Sequence, residues 1–277
     1  MKSKYFLFAL ALMILALLCV TSAALAASSV KLADTIDYSD GHTTISWTVS
    51  GDDPGTWYVL GKVTGNGKAE QQSFLIGMTD KHEVQTVQMI PGKKYEVELL
   101  GGSFITRATK VYEMPKAKDF KDKTLRSKSI MIRVTPVKRK SLDDPKEVKA
   151  LKADSIVKAA QGGSTRYGVK YHIRMPQLVK TRKFFVTIAF ESPDGFLKTV
   201  CADTITFEKV SHGYQTLWFN MLGDNYFDDM YKTENRIETG TYRVYTFWDG
   251  MMVKTMKFKV QLPGRGRQAA AEKRSGP

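Results

Sequence analysis

Apolar and polar residues alternate in short runs through most of the chain. In Thr44-Ile45-Ser46-Trp47-Thr48-Val49, the residues Ile45, Trp47 and Val49 fall on one side and the hydroxyls on the other. Tyr95–Leu99 repeats the pattern with Glu96 and Glu98 outward. Val169, Tyr171, Ile173 and Met175 alternate with Lys170, His172 and Arg174, and Phe184, Val186, Ile188 and Phe190 make a further apolar face. A period of two with one wet side predicts half-buried antiparallel strands. Turn signals separate these runs at Asp40-Gly41, Asn66-Gly67, Pro91-Gly92, Asp194-Gly195 and Asp249-Gly250. Many short strands punctuated in this way are what a sandwich or barrel requires.

The N-terminus breaks the pattern. Lys2 and Lys4 precede an uncharged stretch, Tyr5 to Val20, and Ala24-Leu25-Ala26 followed by Ala27 supplies small residues for cleavage after Ala26 or Ala27. Residues 1–27 therefore read as a secretory signal peptide, which makes contact with a membrane transient. Cys19 follows Leu18 rather than a small residue, which argues against a lipid-modified N-terminus. Removal of the leader takes away Lys2, Lys4 and Cys19 and leaves Cys201 alone. The fold must then hold without an intrachain disulfide, and Cys201 is expected as a small core residue.

Two blocks carry the strands. Within the first, Met89-Ile90-Pro91-Gly92-Lys93-Lys94-Tyr95 resembles the corner of fibronectin type III domains, and Trp47 sits where that family keeps its core tryptophan. The resemblance implies an immunoglobulin-like sandwich over about residues 28–114, with Trp47, Pro91, Gly92 and Tyr95 in structural roles. It also implies that the Tyr95 hydroxyl bonds back to the backbone of the turn. In the second block, Gly240-Thr241-Tyr242-Arg243-Val244, the turn Asp249-Gly250, and Met256, Phe258 and Val260 resemble the closing hairpin of bacterial immunoglobulin-like domains. The expected fold is all-β: two antiparallel β-sandwich domains, 28–114 and 128–262, joined by a basic linker, 115–127. A short helix before or on the second domain is predicted within Lys146 to Gln161, starting after Asp143-Asp144-Pro145 and ending at Gly162-Gly163. The tail 263–277 lacks periodicity and is expected to be disordered. Its Leu262-Pro263-Gly264-Arg265-Gly266 departs from a sortase signal at Arg265.

Charge adds one candidate site. The chain carries 42 Lys+Arg against 28 Asp+Glu, and 13 of the basic residues with 6 acidic ones lie between Lys110 and Lys149. Lys116, Lys118, Lys121, Lys123, Arg126, Lys128, Lys138, Arg139 and Lys140 would attract a polyanion by releasing its counterions. Outside a cell that partner would be an anionic wall polymer, a polysaccharide or lipid headgroups. Nucleic acid is not expected, because no aromatic-interleaved motif accompanies the charges. A second candidate is the late aromatic cluster, in which Trp218, Tyr245, Phe247 and Trp248 could stack on sugars if exposed and are otherwise core. Asp224-Asn225-Tyr226-Phe227-Asp228-Asp229 lacks the spacing of a calcium loop and reads as a solvated loop anchored by its aromatics.

Histidines 42, 82, 172 and 212 are dispersed, and no Gly-x-Ser-x-Gly, His-Glu-x-x-His, Cys-x-x-Cys or phosphate loop occurs. No catalytic residue, cofactor or metal site is therefore assigned. The expectation is a secreted or envelope-associated bacterial protein that binds or spaces without catalysis, engaging anionic polymers. The alternatives are a carbohydrate-binding module built on the late aromatics and an extracellular hydrolase with dispersed catalytic residues.

Overall fold

The computed structural model describes residues 29–65, 73–122, 125, 130–140, 144–175, 178, 180–209, 215–221 and 224–262, and of 215–221, 224 and 225 the backbone. Residues 1–28, expected to include a leader, the tail 263–277, Lys123, Arg126 and Lys128 lie outside the described residues. The described elements are mostly strands in antiparallel sheets, in keeping with the alternation in the sequence.

Eight strands build the first sandwich: β1 (Ser29–Leu32), β2 (Asp37–Ser39), β3 (His42–Ser50), β4 (Trp57–Thr64), β5 (Phe74–Thr79), β6 (Glu83–Thr86), β7 (Lys94–Gly101) and β8 (Thr106–Glu113). Strands β1, β2 and β6 pair with β3, while the other sheet runs β5-β4-β7-β8. Their inward residues, among them Ile45, Trp47, Trp57, Val59, Val97 and Leu99, form one core. Trp47 meets Trp57 edge-on at 5.8 Å between centroids. At the Pro91-Gly92 corner the Ile90 N–H donates to the Tyr95 hydroxyl over 2.9 Å, and Tyr95 is 1% exposed. A Tyr95→Phe variant leaves that buried donor unpaired, which costs about 1–3 kcal/mol. The expected result is a lower urea midpoint with the native fold retained; an unchanged midpoint would remove the corner's structural role.

The second sandwich contains β9 (Met131–Lys140), β10 (Lys146–Glu147), β11 (Leu151–Lys152), α1 (Ala153–Ala160), β12 (Thr165–Met175), β13 (Arg182–Glu191), β14 (Leu197–Phe207), β15 (Gln215–Met221), α2 (Asp224–Glu234), β16 (Gly240–Trp248) and β17 (Met251–Gln261). Its sheets run β10-β9-β12-β15 and β11-β17-β16-β13-β14, antiparallel except for β11 on β17. Val169, Tyr171, Ile173 and Met175 point into this core, as do Phe184, Val186, Ile188 and Phe190.

Three expectations change. The helix within 146–161 is shorter than its polar pattern suggested. Residues 146–147 instead pair with the edge of β9, the Val148 N–H donates to the Pro136 carbonyl over 2.9 Å, and helix begins only at Ala153. Backbone groups at a sheet edge need partners, and this segment supplies them before the helix can start. The helix does end at Gly162-Gly163: the Gly163 N–H donates to the Lys158 and Ala159 carbonyls, and a Cβ there would sit 2.8 Å from the Lys158 oxygen. The acidic segment expected as a loop opens α2. Tyr226, Phe227 and Met230 are buried at helical spacing, and packing of that face outweighs the weak helix propensity of Asp, Asn and Tyr. Cys201 is half-buried against the core rather than inside it, and burial, with Asp203 nearby, pushes its thiol pKa up.

The two sandwiches pack on one another. Strand β13 is buried on both faces, and Ala189 with Leu197 and Phe247 joins the core of the first sandwich. Two Asp-Gly turns meet here. Asp40-Gly41 and Asp249-Gly250 both take positive φ at each residue, as two-residue hairpins require. A Cβ on Gly250 would lie 2.9 Å from the Gly41 nitrogen, so the approach depends on glycine. Beside it, the His42 ring packs on Phe185 at 4.5 Å. From the Pro91-Gly92 corner, Lys93 Nζ reaches Glu191 Oε1 over 2.5 Å, while Tyr245 and Arg243 both donate to Glu191 Oε2.

The segment between the sandwiches is packed as well. The Phe120 N–H donates to the Met252 carbonyl and the Met252 N–H to the Lys118 carbonyl, each over 2.9 Å. Phe120 and Leu125 enter the second core, and Asp122 pairs with Arg182.

Candidate anion-binding trough

The basic strand β9 shapes the open end of the second sandwich. Its residue Lys138 lies directly across from Lys146 on β10 and from Tyr167 on β12, and Arg139 lies across from Arg166. Like charges opposed in a sheet are unfavourable by roughly 0.2–1 kcal/mol, so the chain carries a local cost here. Two adjoining clefts open at this place. One, of about 280 Å³, is lined by Lys138, Arg139, Lys140, Asp144, Lys146, Thr165 and Tyr167. The next, of about 390 Å³, is lined by Lys138, Val148, Lys149, Ala150, Lys152, Ser155, Tyr167 and Gln261. Lys138 and Tyr167 belong to both, so the clefts form one trough with six cationic side chains and Asp144 as the acidic one. The Arg139 Nε is buried and has no hydrogen-bond partner among the described residues. A buried donor of this kind calls for an acceptor, and an anionic oxygen is the strongest kind.

The outer side of the same sheet is basic too. Arg133 lies across from His172, and Lys170 and Arg174 flank that histidine along β12. Burial, then the fields of Arg133, Lys170 and Arg174, hold the His172 pKa below its ordinary value. The positive potential thus extends from the trough over the sheet.

Of the sequence-derived basic residues, Lys138, Arg139 and Lys140 come together in the trough. Of the linker residues, Lys116, Lys118 and Lys121 do not, and Lys123, Arg126 and Lys128 lie outside the described residues. Lys116 is exposed beside the Gly92 turn, and Lys118 and Lys121 line a separate cleft of about 670 Å³ that also contains Asp119, Asp122 and Asp249. That cleft lies at the Met251 end of β17 and the trough at the Gln261 end. Nine or ten residues of strand separate them, about 30 Å. Lys146, Lys149, Lys152 and Tyr167 were missed in the sequence because they lie on three strands and the connection between two of them. A charge count sees density along the chain, not which strand ends converge.

The late aromatics part company. Trp248 is fully buried in the second core against Phe120, Phe184 and Phe207, and Phe247 is 1% exposed at the interface. Neither ring offers a face to a sugar. Tyr245 is half-buried and donates to Glu191. Trp218 lies on β15 across from His172, and its side chain is outside the described residues.

His82 Nε2 approaches Asp53 Oδ2 at 2.6 Å, and Asp53 Oδ1 accepts from the Gly55 N–H and the Trp57 indole. This arrangement ties the 51–55 loop to the core. His212 lies outside the described residues. Among the described residues no group of three His, Cys, Asp or Glu side chains is placed to hold a metal, and no helix is long and apolar enough to cross a membrane. Comparison of the chain with protein-family models and with curated proteins finds no match.

Proposed function

We propose that this is an exported, non-catalytic binding protein of a bacterial cell envelope, which holds an anionic polymer in the trough at the open end of its second sandwich. The observation that carries the reading is Lys138 directly opposed to Lys146 at a cleft that also contains an Arg139 Nε buried without a partner among the described residues. A sheet tolerates such pairs where a bound anion relieves them. Export rests on the charged, apolar and small-residue pattern of residues 1–27. The first sandwich is assigned as a fibronectin type III-like module. Its support is Trp47 in the core, the Tyr95 hydroxyl on the Pro91-Gly92 corner, and the division of β1, β2, β3 and β6 from β5, β4, β7 and β8.

Binding to heparin and to teichoic acid should weaken steeply between ~50 and ~200 mM salt. The combined Lys138→Gln, Lys140→Gln and Lys146→Gln variant should lose roughly two to three units of log–log salt slope and at least tenfold in affinity at the lower salt. Lys118→Gln with Lys121→Gln, remote from the trough, should change little. Affinity indifferent to salt, or unaltered in the trough variant, would sink the reading.

A further inference from the structure

Among the described residues, one apolar face of the first sandwich is left uncovered. On the outer side of its β5-β4-β7-β8 sheet, Met78, Tyr58 and Leu100 lie directly across from one another, with Leu75 and Leu60 in the neighbouring row. Met78 is 62% exposed, and Phe104 and Ile105 in the turn before β8 are 66% and 56% exposed. The Phe104 ring lies on Tyr58 at 4.5 Å, so these side chains form one patch. Phe104 takes φ 58, a left-handed conformation that is strained for a bulky residue. The chain holds an aromatic ring in water with a strained backbone. Contiguous exposed apolar surface of this sort marks an interaction site.

The charges of the two sandwiches indicate what covers it. Residues 29–114 contain 11 Asp+Glu against 8 Lys+Arg, whereas 128–262 contain 23 Lys+Arg against 14 Asp+Glu. An acidic half and a basic half on one chain are complementary between copies. One face of the second sandwich is already covered by the first sandwich of the same chain, on β13 and β16. The other, on β9 and β12, presents Met131, 48% exposed, with Arg174 across from it and Arg133 beside it. An apolar anchor rimmed by cations matches an apolar patch on an acidic domain.

We propose that the chain associates with itself head to tail: the Tyr58, Met78 and Phe104 patch of one copy seats on the Met131, Arg133 and Arg174 face of the next. The interface is heterologous, so successive copies extend into a ring or a filament rather than stopping at a two-fold dimer. It leaves the trough of each copy open and goes beyond the polymer-binding reading.

Sedimentation of the processed chain tests this. The mass should rise with concentration at low salt and fall back as salt is added. Phe104→Asp spoils the patch and Arg133→Glu the basic face, both at exposed positions; each variant alone should lose at least tenfold in association constant. Mixed in equal amounts, the two should form a complex of one copy of each and stop there, since each retains one intact face. Met78→Lys provides a second patch variant and should behave as Phe104→Asp does. Polymer binding at the trough should persist in Phe104→Asp and Met78→Lys, which separates this proposal from the function above. A wild-type mass independent of concentration at low salt would overturn it. So would association that survives Phe104→Asp, or a failure of the mixed variants to pair.

Discussion

Trp248→Ala is expected to remove most of the stability of the second sandwich. The indole is fully buried and touches three phenylalanine rings, Phe120, Phe184 and Phe207, at centroid distances of 5.4, 5.0 and 5.3 Å. Deleting a buried tryptophan costs about 3–5 kcal/mol, because the transfer free energy is lost and the cavity closes only in part. A domain stable by roughly 5–15 kcal/mol is left near its threshold. The indole N–H has no acceptor among the described residues, so the loss is one of packing rather than of a hydrogen bond. Trp248→Phe should accordingly recover much of the stability. Urea unfolding followed by far-ultraviolet circular dichroism measures both variants. A drop below about 1 kcal/mol for the alanine variant would contradict the core assignment. Loss of glycan binding at an unchanged midpoint would instead return Trp248 to the sugar-stacking reading.

The strand faces, the hairpin turns and the corner at Tyr95 were legible in the sequence because each rests on a local rule. Period-two burial and Asp-Gly at a two-residue turn act within a few residues, and the tyrosine after Pro-Gly was marked by its resemblance to the fibronectin type III corner. What could not be read was set by distant contacts. Phe184, Val186, Ile188 and Phe190 were recognised as a core face, yet the intervening Phe185, Thr187 and Ala189 are also free of charge. That near-continuous run was the available sign of a strand buried on both sides, and the second side is covered by the other sandwich. The acidic segment at 224–229 has poor helix formers at most positions, and only the packing of Tyr226, Phe227 and Met230 decides for helix. The trough was half legible. Lys138, Arg139 and Lys140 are adjacent in sequence, but their partners come from β10, β11, the 148–150 connection and β12.

This packing changes what the two-sandwich arrangement can do. A basic linker between independent modules would leave their orientation free, as a spacer needs. Here Phe120 and Leu125 are sunk in the second core, and the two hairpin turns abut at Gly41 and Gly250. The trough is therefore held at a fixed place relative to the apolar patch on the first sandwich. A polymer bound at one and a second copy bound at the other would be presented in a defined geometry.

Glu191→Ala is expected to loosen the joint between the sandwiches and to erase part of the protein's acid sensitivity. The carboxylate is 3% exposed, and its partner Lys93 comes from the other sandwich with a side chain 16% exposed. Removing one member of a buried ion pair leaves the other charge desolvated, a cost of about 3–5 kcal/mol. Burial by itself would raise the Glu191 pKa. Hydrogen bonds from Lys93 and Tyr245, the charge of Lys93 and a hydrogen bond from Arg243 outweigh it and hold the group below its ordinary 4.5. A carboxylate whose pKa is depressed by folding adds stability that is fully present above about pH 4.5. That contribution is lost as the pH falls through the lowered value. Wild type should therefore lose stability more steeply below pH 4.5 than Glu191→Gln, which keeps the shape of the side chain without the charge. Asp34 and Asp53 also have lowered pKa values, but both are retained in the two proteins, so they cancel in the difference. Urea midpoints measured from pH 3 to 7 on both proteins provide the comparison, and small-angle scattering at pH 7 reads whether Glu191→Ala lets the sandwiches part. Parallel pH profiles, together with an unchanged scattering envelope, would mean that the joint is held by Phe185, Ala189, Leu197 and Phe247 and that the buried charge adds nothing to it.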